Sequence, residues 1–534
     1  MHKMKYKLQT VLILLSLSAF FFFNCSKSDQ SEAPNILFIM TDDHAAHAIS
    51  AYGGIFDSLA PTPNIDRLAD EGTLLNNVFC TNAICGPSRA AILTGKFSHQ
   101  NGFYKNHQGG KFDSSQWTFP QEFQRKGYRT ALFGKWHLGT EPVGFDYFKY
   151  HNNKGQQGTY YDPIYNENGQ NIVEKGYATK LTTDFALDWL SQNAHGSKPF
   201  LMLLQYKAPH RKWLPEKKYK NLFDGVEMPF PDTFNDTYEG RELTAGDTDM
   251  TMDNFDPRDM KLAAPDSIKD PGELRRWAEM GYKRGTNEGW LPFDSMTVEE
   301  ARKWKYQRYI KDYLACVKSV DDHVGRVLDY LDENELTENT IVIYTSDQGF
   351  YLGDHGWYDK RFMYENSLRM PFIIRYPGQI PSNVVNDDMI MNIDFSPTLL
   401  DLAGIGDVQG LQGKSFKDKV MGVGGNEPFR TAIYYHYYEY PFWHHVQPHY
   451  GIRTERYKLI HFYHDIDQWE LYDLKNDPNE LTNLYFDGDH LNLITELKVQ
   501  LTDLQERYGD NVSVDSMRVI TTTNFGLIGG GGNH

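Results

Sequence analysis

Charged and nucleophilic side chains recur in this chain directly after short apolar runs. Asn35-Ile-Leu-Phe-Ile-Met40 leads into Asp42-Asp43, and Thr130-Ala-Leu-Phe133 into Lys135-Trp136-His137. Phe200-Leu-Met-Leu-Leu204 leads towards Lys207 and His210, and Thr340-Ile-Val-Ile-Tyr344 into Asp347-Gln348. A fifth group, Cys85-Gly-Pro-Ser-Arg89, continues as Ala90-Ala-Ile-Leu93-Thr94-Gly95. Pro87 suits the opening turn of a helix, and Ala90 to Leu93 extend it. Residue 85 then sits at a helix N-terminus, where partial positive charge favours an anion. Taken singly, each group has a plain structural account: a solvated loop, a turn or helix cap for Asp42-Asp43, a buried thiol for Cys85. The same grammar four times over makes a site.

The scaffold expected to hold these residues is written in the same runs. Strands apolar on both faces are those of a mostly parallel sheet covered by helices. In such sheets, ligands sit beyond the carboxyl ends of the strands, where the charged groups lie. The segment Tyr309 to Leu331 places Ile310, Leu314, Val317, Val320, Val324, Val327 and Leu331 at helical spacing, which predicts a helix packed on the sheet. Residues 222–300 are rich in Asp, Pro, Gly and Met with weak periodicity, and read as an insertion near the mouth of the site. Beyond 405–430, Ala432–Tyr435, Tyr450–Thr454, Tyr457–His461 and Glu470–Asp473 read as short antiparallel strands, closed by a helix over about 490–507. The fold expected is α/β: a large, mixed, mostly parallel sheet flanked by helices, with a smaller C-terminal antiparallel sheet plus helix.

Cys85-x-Pro87-x-Arg89 with Leu93-Thr94-Gly95 resembles the maturation signature of the type I, formylglycine-dependent sulfatases of the alkaline phosphatase superfamily. Six specified residues recur by chance at a given start on the order of once in ten million. The resemblance runs from Asn35 to about Tyr485 and is strongest to bacterial polysaccharide and glycosaminoglycan sulfatases. It implies that a formylglycine-generating or radical maturation enzyme oxidises Cys85 to formylglycine. Asp42, Asp43, Asp347, Gln348 and residue 85 match the family's metal ligands. An all-oxygen shell of this kind suits Ca2+, ahead of Mg2+. Arg89, Lys135, His137, His210 and Lys360 match the residues that surround the sulfate. The implied mechanism has a hydroxyl of hydrated formylglycine attacking sulfur, His210 donating to the departing sugar oxygen, and His137 then helping to expel sulfate.

The implied substrate is a sulfated carbohydrate, with 6-O-sulfated glucosamine and ulvan-like chains as the leading guesses. His99, His107, His355, Arg361, His449 and Arg453 are the candidate sugar contacts. The aromatic run Tyr434 to Tyr440 with Trp443, His444 and His445 reads equally as a sugar-binding face or as a packed sheet face. Two rival functions stay open: a phosphonate or phosphodiester hydrolase of the same superfamily, and a catalytically inactive sugar-binding lipoprotein.

The net charge of −17 over 534 residues argues against nucleic-acid binding, and requires any positive charge that meets an anion to be local. The basic start His2, Lys3, Lys5 and Lys7, followed by the apolar run Val11 to Phe23, reads as an export signal. Cys25 directly after it resembles a lipoprotein cleavage site, implying membrane attachment by lipid and a periplasmic or cell-surface location in a bacterium. Asn24, not a small residue, leaves ordinary secretion open. The organisation expected is a signal peptide over 1–24, a tether over 25–33, a catalytic domain over 34–420, a C-terminal subdomain over 428–515 and a flexible tail over 521–534. Cys80 and Cys316 are left as buried thiols rather than a disulfide framework.

Overall fold

The computed structural model describes residues 33–106, 110–153, 155–256, 259–261 and 296–522. The export segment with Cys25, His107, residues 262–295 of the expected insertion and residues 523–534 of the tail lie outside these. The described residues from Pro34 onward form one compact unit. Its strands are β1 (Asn35–Asp42), β2 (Thr73–Phe79), β3 (Arg129–Gly134), β4 (Tyr147–His151), β5 (Ile164–Glu167), β6 (Gln170–Val173), β7 (Phe200–Pro209), β8 (Thr340–Ser346), β9 (Tyr351–Leu352), β10 (Tyr358–Asp359), β11 (Arg369–Arg375), β12 (Val384–Asn386), β13 (Ile390–Met391), β14 (Ala432–Tyr437), β15 (His449–Thr454), β16 (Tyr457–Phe462) and β17 (Gln468–Asp473).

The main sheet runs β12-β2-β11-β8-β1-β7-β3-β4-β5-β6, with β13 also on β2. The four strands expected from the apolar runs are its parallel centre, β8-β1-β7-β3. Every residue of β1, β7 and β8 is buried, as runs apolar on both faces require. Because these strands are parallel, their carboxyl ends share one edge. Strands β5, β6 and β11 pair antiparallel and make the sheet mixed.

Among the helices that frame the two sheets are α1 (Cys85–Thr94), α2 (Ala178–Asn193), α3 (Val298–Glu333) and α4 (Leu491–Tyr508). Helix α3 starts at a capping box, Thr297 Oγ1 accepting from the Glu300 amide at 3.3 Å and Glu300 Oε2 from the Thr297 amide at 2.8 Å. It buries all seven apolar residues of the predicted stripe and packs with α2 against β7. The described part of the insertion is no open loop: Met228, Phe234, Met250, Met252 and Phe255 are buried, and Thr251 bridges Trp357. The second sheet, β14-β15-β16-β17, is antiparallel throughout. One further helix, α5 (Val514–Thr522), extends past the expected start of the tail; Met517 and Thr521, four residues apart, are its buried contacts.

Candidate active site

The shared carboxyl edge gathers the chemistry. Asp42 closes β1, Lys135 follows β3, His210 follows β7 and Asp347 follows β8. Gly134 lets the edge form: it sits at φ +98°, and a Cβ there would come within 1.9 Å of the Gln205 carbonyl oxygen. Helix α1 points its N-terminus at the same edge, and Arg89, one turn in, ties the strand ends together. Its Nε donates to Asp347 Oδ2 at 2.8 Å, and its Nη1 to the Lys135 carbonyl at 2.8 Å and Gln205 Oε1 at 3.0 Å. Ser88 Oγ donates to the Asp347 carbonyl.

Asp42, Asp43 and Asp347 each present an oxygen, all within 4.8 Å of one another and all buried. Lys360 Nζ bonds both oxygens of Asp43, at 2.7 and 2.8 Å, Gln348 Nε2 donates to Asp43 Oδ1, and Lys135 Nζ to Asp42. Burial tends to raise Asp42, but Lys135, His210, Arg89 and Lys360 outweigh it and hold the carboxyl well below its usual range. Burial, with repulsion from Asp42 and Asp347, pushes Asp43 up to about 7 despite Lys360. Burial and Asp42 push Asp347 up to about 6. Three carboxylates this close cannot all ionise comfortably without further positive charge. Asp42 Oδ1 and Gln348 Oε1 are buried with no hydrogen-bond partner. Two orphaned oxygens beside a crowded carboxylate cluster fit a hard divalent cation held by oxygens.

Residue 85 borders this cluster: Cys85 Sγ, a carboxylate oxygen of Asp42 and a ring nitrogen of His210 lie within 4.8 Å of one another. Burial pushes the Cys85 thiol up to about 12 against the pull of Lys135 and Lys360, so the encoded side chain is a protonated thiol and not a thiolate nucleophile. His210 Nδ1 donates to the Arg211 carbonyl at 2.7 Å, which leaves Nε2 facing Asp43 Oδ2 at 3.8 Å. His137 Nε2 meets the Gln157 side-chain amide at 2.8 Å. Asp43, His137, Asp359 and Arg361 have φ of +68°, +59°, +80° and +117°. Left-handed backbone at non-glycine residues costs of order 1–3 kcal/mol each and persists where surroundings over-determine it, commonly at functional sites.

The structure therefore brings together Asp42, Asp43, Cys85, Arg89, Lys135, His210, Asp347, Gln348 and Lys360, with His137 on the stretch that follows β3. The candidate sugar contacts divide. Arg361 lies near: its Nη1 bonds Glu439 Oε1 at 3.0 Å, Glu439 Oε2 accepts from the Asn106 amide at 2.7 Å, and Asn106 Nδ2 is 3.7 Å from Cys85 Sγ. The other described candidates are committed elsewhere. Both nitrogens of His449 are used, Nδ1 on the Gln447 carbonyl at 2.8 Å and Nε2 by the Met363 amide at 3.1 Å. His99 bonds the Tyr508 carbonyl at 2.8 Å, His355 bonds Asp236 at 2.7 Å, and Arg453 pairs with Glu365. Their side chains bond within the protein, where the sequence reading expected them to face a sugar. The aromatic run also splits. Tyr434, Tyr435, Tyr437 and Tyr438 are buried on and just beyond β14, whose side chains alternate between the two faces of the sheet, whereas Trp443, His444 and His445 line a cleft with Arg211, Asp249 and Tyr358.

Sequence reasoning missed Asn106, Gln205, Asp359, Arg211 and Glu439. Gly86 held a signal for the first: a Cβ there would meet Asn106 Oδ1 at 2.5 Å, so the glycine marks a close approach. Glu439 is the lone carboxylate in the run Tyr434 to Tyr440. Asp359 and Arg361 flank Lys360, and nothing in the sequence marks Gln205 or Arg211.

Comparison with known proteins bears on the same residues. Residues 34–405 match the family model described as Sulfatase, and residues 353–507 the model described as N-sulphoglucosamine sulphohydrolase, C-terminal. The chain is 45% identical over 518 residues to the N-acetylglucosamine-6-O-sulfatase of Bacteroides thetaiotaomicron, covering 93% of this chain and 91% of that one. It is 26% identical over 434 residues to the N-acetylglucosamine-6-sulfatase of Capra hircus, covering 76% and 67%. It superposes at TM-score 0.83 and 44% identity on BT4656 solved in complex with its substrate D-glucosamine-2-N,6-O-disulfate, covering 90% of this chain and 99% of that one.

Proposed function

The chain belongs to the sulfatase family, and from that premise we propose that it hydrolyses the 6-O-sulfate ester of N-acetylglucosamine or of N-sulfated glucosamine. Sulfate-ester hydrolysis on sugars is the family reading; the amino sugar and the 6-position rest on 45% identity over 93% of the chain. The observation that carries the chemistry is the meeting of Cys85, Asp42 and His210 at the edge where Lys135 and Lys360 also end.

In this reading residue 85 acts as formylglycine, made from Cys85 by a formylglycine-generating or radical maturation enzyme. Asp42, Asp43, Asp347, Gln348 and an oxygen on residue 85 would hold Ca2+, ahead of Mg2+. When present, the ion polarises sulfate oxygens and formylglycine offers an oxygen nucleophile able to let sulfate go again. The chain's own residues do the rest. Lys135 and Lys360 offset the charge of the sulfate group in a net acidic protein. Arg89 holds Asp347 in place, and its buried guanidinium balances the carboxylates. His210, whose Nδ1–H is held by the Arg211 carbonyl, gives a proton from Nε2 to the departing sugar oxygen only as the imidazolium, and His137 stands to take the later proton. The N-terminal segment supports export, with lipid on Cys25 tethering the enzyme at the periplasmic face or cell surface of a bacterium.

Sulfate release from 6-O-sulfated N-acetylglucosamine, N,6-O-disulfated glucosamine, 2-O-sulfated uronate and a phosphonate monoester tests the reading. The protein is co-expressed with a maturation enzyme, supplied with calcium and compared with Cys85→Ala. Release from the 6-O-sulfated amino sugars by mature wild type alone is expected. Faster turnover of the phosphonate than of any sulfate would overturn the assignment.

A further inference from the structure

Gln156 and Gln157 hold the stretch that carries His137 from two sides. Gln156 Oε1 accepts from the Leu138 amide at 3.0 Å and the Gly139 amide at 2.9 Å, and its Nε2 donates to the Thr140 carbonyl at 3.0 Å. These bonds staple the backbone directly after His137. Gln157 takes the ring itself, its side-chain amide meeting His137 Nε2 at 2.8 Å. The segment reaches this position because Gly158 lies against the His151 ring at the end of β4. A Cβ there would come within 2.6 Å of that ring, and the glycine's φ is +75°. Two residues on, Tyr160 Oη donates to the His210 carbonyl at 2.5 Å. One short stretch thus braces both histidines of the proposed reaction, and neither glutamine is among the groups assigned to the sulfate or the ion.

An imidazole held at one nitrogen has its proton placed by that partner. A side-chain amide can present either end to Nε2. Its N–H would donate to Nε2, which puts the ring proton on Nδ1 and engages the only lone pair of the neutral ring. Its oxygen would accept from Nε2–H, which puts the lone pair on Nδ1 instead. A half-turn about the last side-chain bond exchanges the two ends, so the 2.8 Å contact fixes the partner and the chemistry of the ring fixes the atom. A histidine that is to take a proton needs its lone pair on the nitrogen that Gln157 does not hold.

We propose that Gln157 is a positioning residue for His137: its carbonyl oxygen accepts from Nε2–H and holds the ring in the tautomer whose Nδ1 takes the later proton. The inference rests on His137 acting as the base of that step. On taking the proton the ring becomes an imidazolium whose Nε2–H still points at the Gln157 oxygen. The contact that sets the tautomer therefore also steadies the charge that forms. It acts on the release of sulfate alone, because the sugar has by then departed.

Two measurements test it. Nitrogen NMR of unmatured, calcium-free protein carrying isotope-labelled histidine reads the tautomer, with the His137 signals assigned by their loss in His137→Asn. Neutral His137 is expected to carry its proton on Nε2 in wild type and to mix the two tautomers in Gln157→Leu; a proton on Nδ1 in wild type would overturn the proposal. In mature enzyme, rapid mixing follows desulfated sugar and sulfate separately. Gln157→Leu is expected to release the first equivalent of sugar within about twofold of the wild-type rate and to slow sulfate release by about 10–100-fold. Its kcat and KM should fall together, leaving kcat/KM within about twofold. Gln157→Glu, which keeps an oxygen opposite Nε2, should bring sulfate release back to within about threefold of wild type. Equal slowing of sugar and sulfate in Gln157→Leu, or no slowing of either, would also overturn it. Unchanged sulfate release in His137→Asn would overturn the base itself and the proposal with it, a failure told apart from that of Gln157 by the tautomer, which is read without turnover.

Discussion

The molecule buries two concentrations of charge, and they are built on opposite terms. Beneath the C-terminal sheet, Lys458 Nζ bonds Glu480 at 2.6 Å, Glu365 at 2.9 Å and the Met363 carbonyl at 2.7 Å, while Arg453 pairs with the same Glu365. Asp510, just past α4, gathers His436 Nδ1 and Tyr434 Oη, each at 2.7 Å. In the first cluster charge meets charge, and in the second the carboxylate is met by hydrogen-bond donors. At the carboxyl edge of the main sheet, three carboxylates crowd together, two of them pushed up to about 7 and about 6, and two oxygens lack partners. Burial is the same in the two regions, and Arg89, Lys135 and Lys360 set three cations against the three carboxylates; what differs is that the edge leaves two oxygens without partners. A buried network whose polar atoms are met stabilises the fold, whereas one with orphaned oxygens is held in place by the fold and kept for a ligand.

The comparison breaks most sharply at Cys85. Cys85→Ala is expected to remove sulfate release by about a million-fold, as loss of a nucleophile does, with little change in Tm; a drop of several degrees would place Cys85 with the structural groups. The next largest effect concerns the cation. Calcium should raise the Tm of wild type by mass action, and a chelator should abolish turnover. Asp43→Asn should lose both the calcium shift and roughly 10²–10⁴ of the activity. In calcium-free protein its Tm should fall by less than Lys458→Ala costs, because the change weakens the pair with buried Lys360 but also relieves the repulsion from Asp42 and Asp347. A fall as large as that of Lys458→Ala would show that the cluster stabilises the fold by itself.

Effects beneath the C-terminal sheet should appear in stability instead. Lys458→Ala leaves Glu480 and Glu365 buried without their cation, and is expected to cost about 3–5 kcal/mol in denaturant unfolding. The kcat per folded molecule should hardly move. The smallest effect, about 1–3 kcal/mol, is expected for Asp510→Asn. Burial tends to raise Asp510, but His436, His99 and Tyr434 outweigh it and hold the carboxyl below its usual range. A depressed carboxyl stabilises the fold above its unfolded pKa of about 3.9 and loses that contribution as pH falls further. Unfolding curves of wild type and Asp510→Asn should therefore be furthest apart above about pH 5, narrow as pH falls below about 4, and converge only near the depressed pKa of the folded carboxyl. A gap that does not narrow at all between about pH 5 and about pH 2 would assign the effect to packing.

Much of the catalytic edge is legible in the sequence because each of its residues ends or begins a regular element. Asp42 and Asp347 end apolar strands, Lys135 and His210 follow others, and Cys85 opens a helix that Pro87 announces. Those signals are local, so a linear reading finds them. The sugar contacts gave no such signal. His99, His355 and His449 resemble binding residues in type, but a histidine's role depends on what its two nitrogens meet, and here these are carbonyls, amides and carboxylates from distant segments. Arg211 and Asp359 were passed over for the same reason, since their meeting with His444 joins three separate stretches of chain.

Local sequence thus dictates the parallel centre of the sheet, the helix that opens at Cys85 and the set of strand-end carboxylates and cations. These come from hydrophobic periodicity and from motifs a few residues long. Which polar groups stay unsatisfied was settled by tertiary packing instead. It placed two orphaned oxygens at the carboxylate cluster, buried the tyrosines of β14, and set the Gln157 amide against the ring of His137. Hydrogen-bond satisfaction is a property of the whole packed chain: any donor can be met by any acceptor the fold brings within about 3 Å, and no local stretch of residues specifies which one that will be.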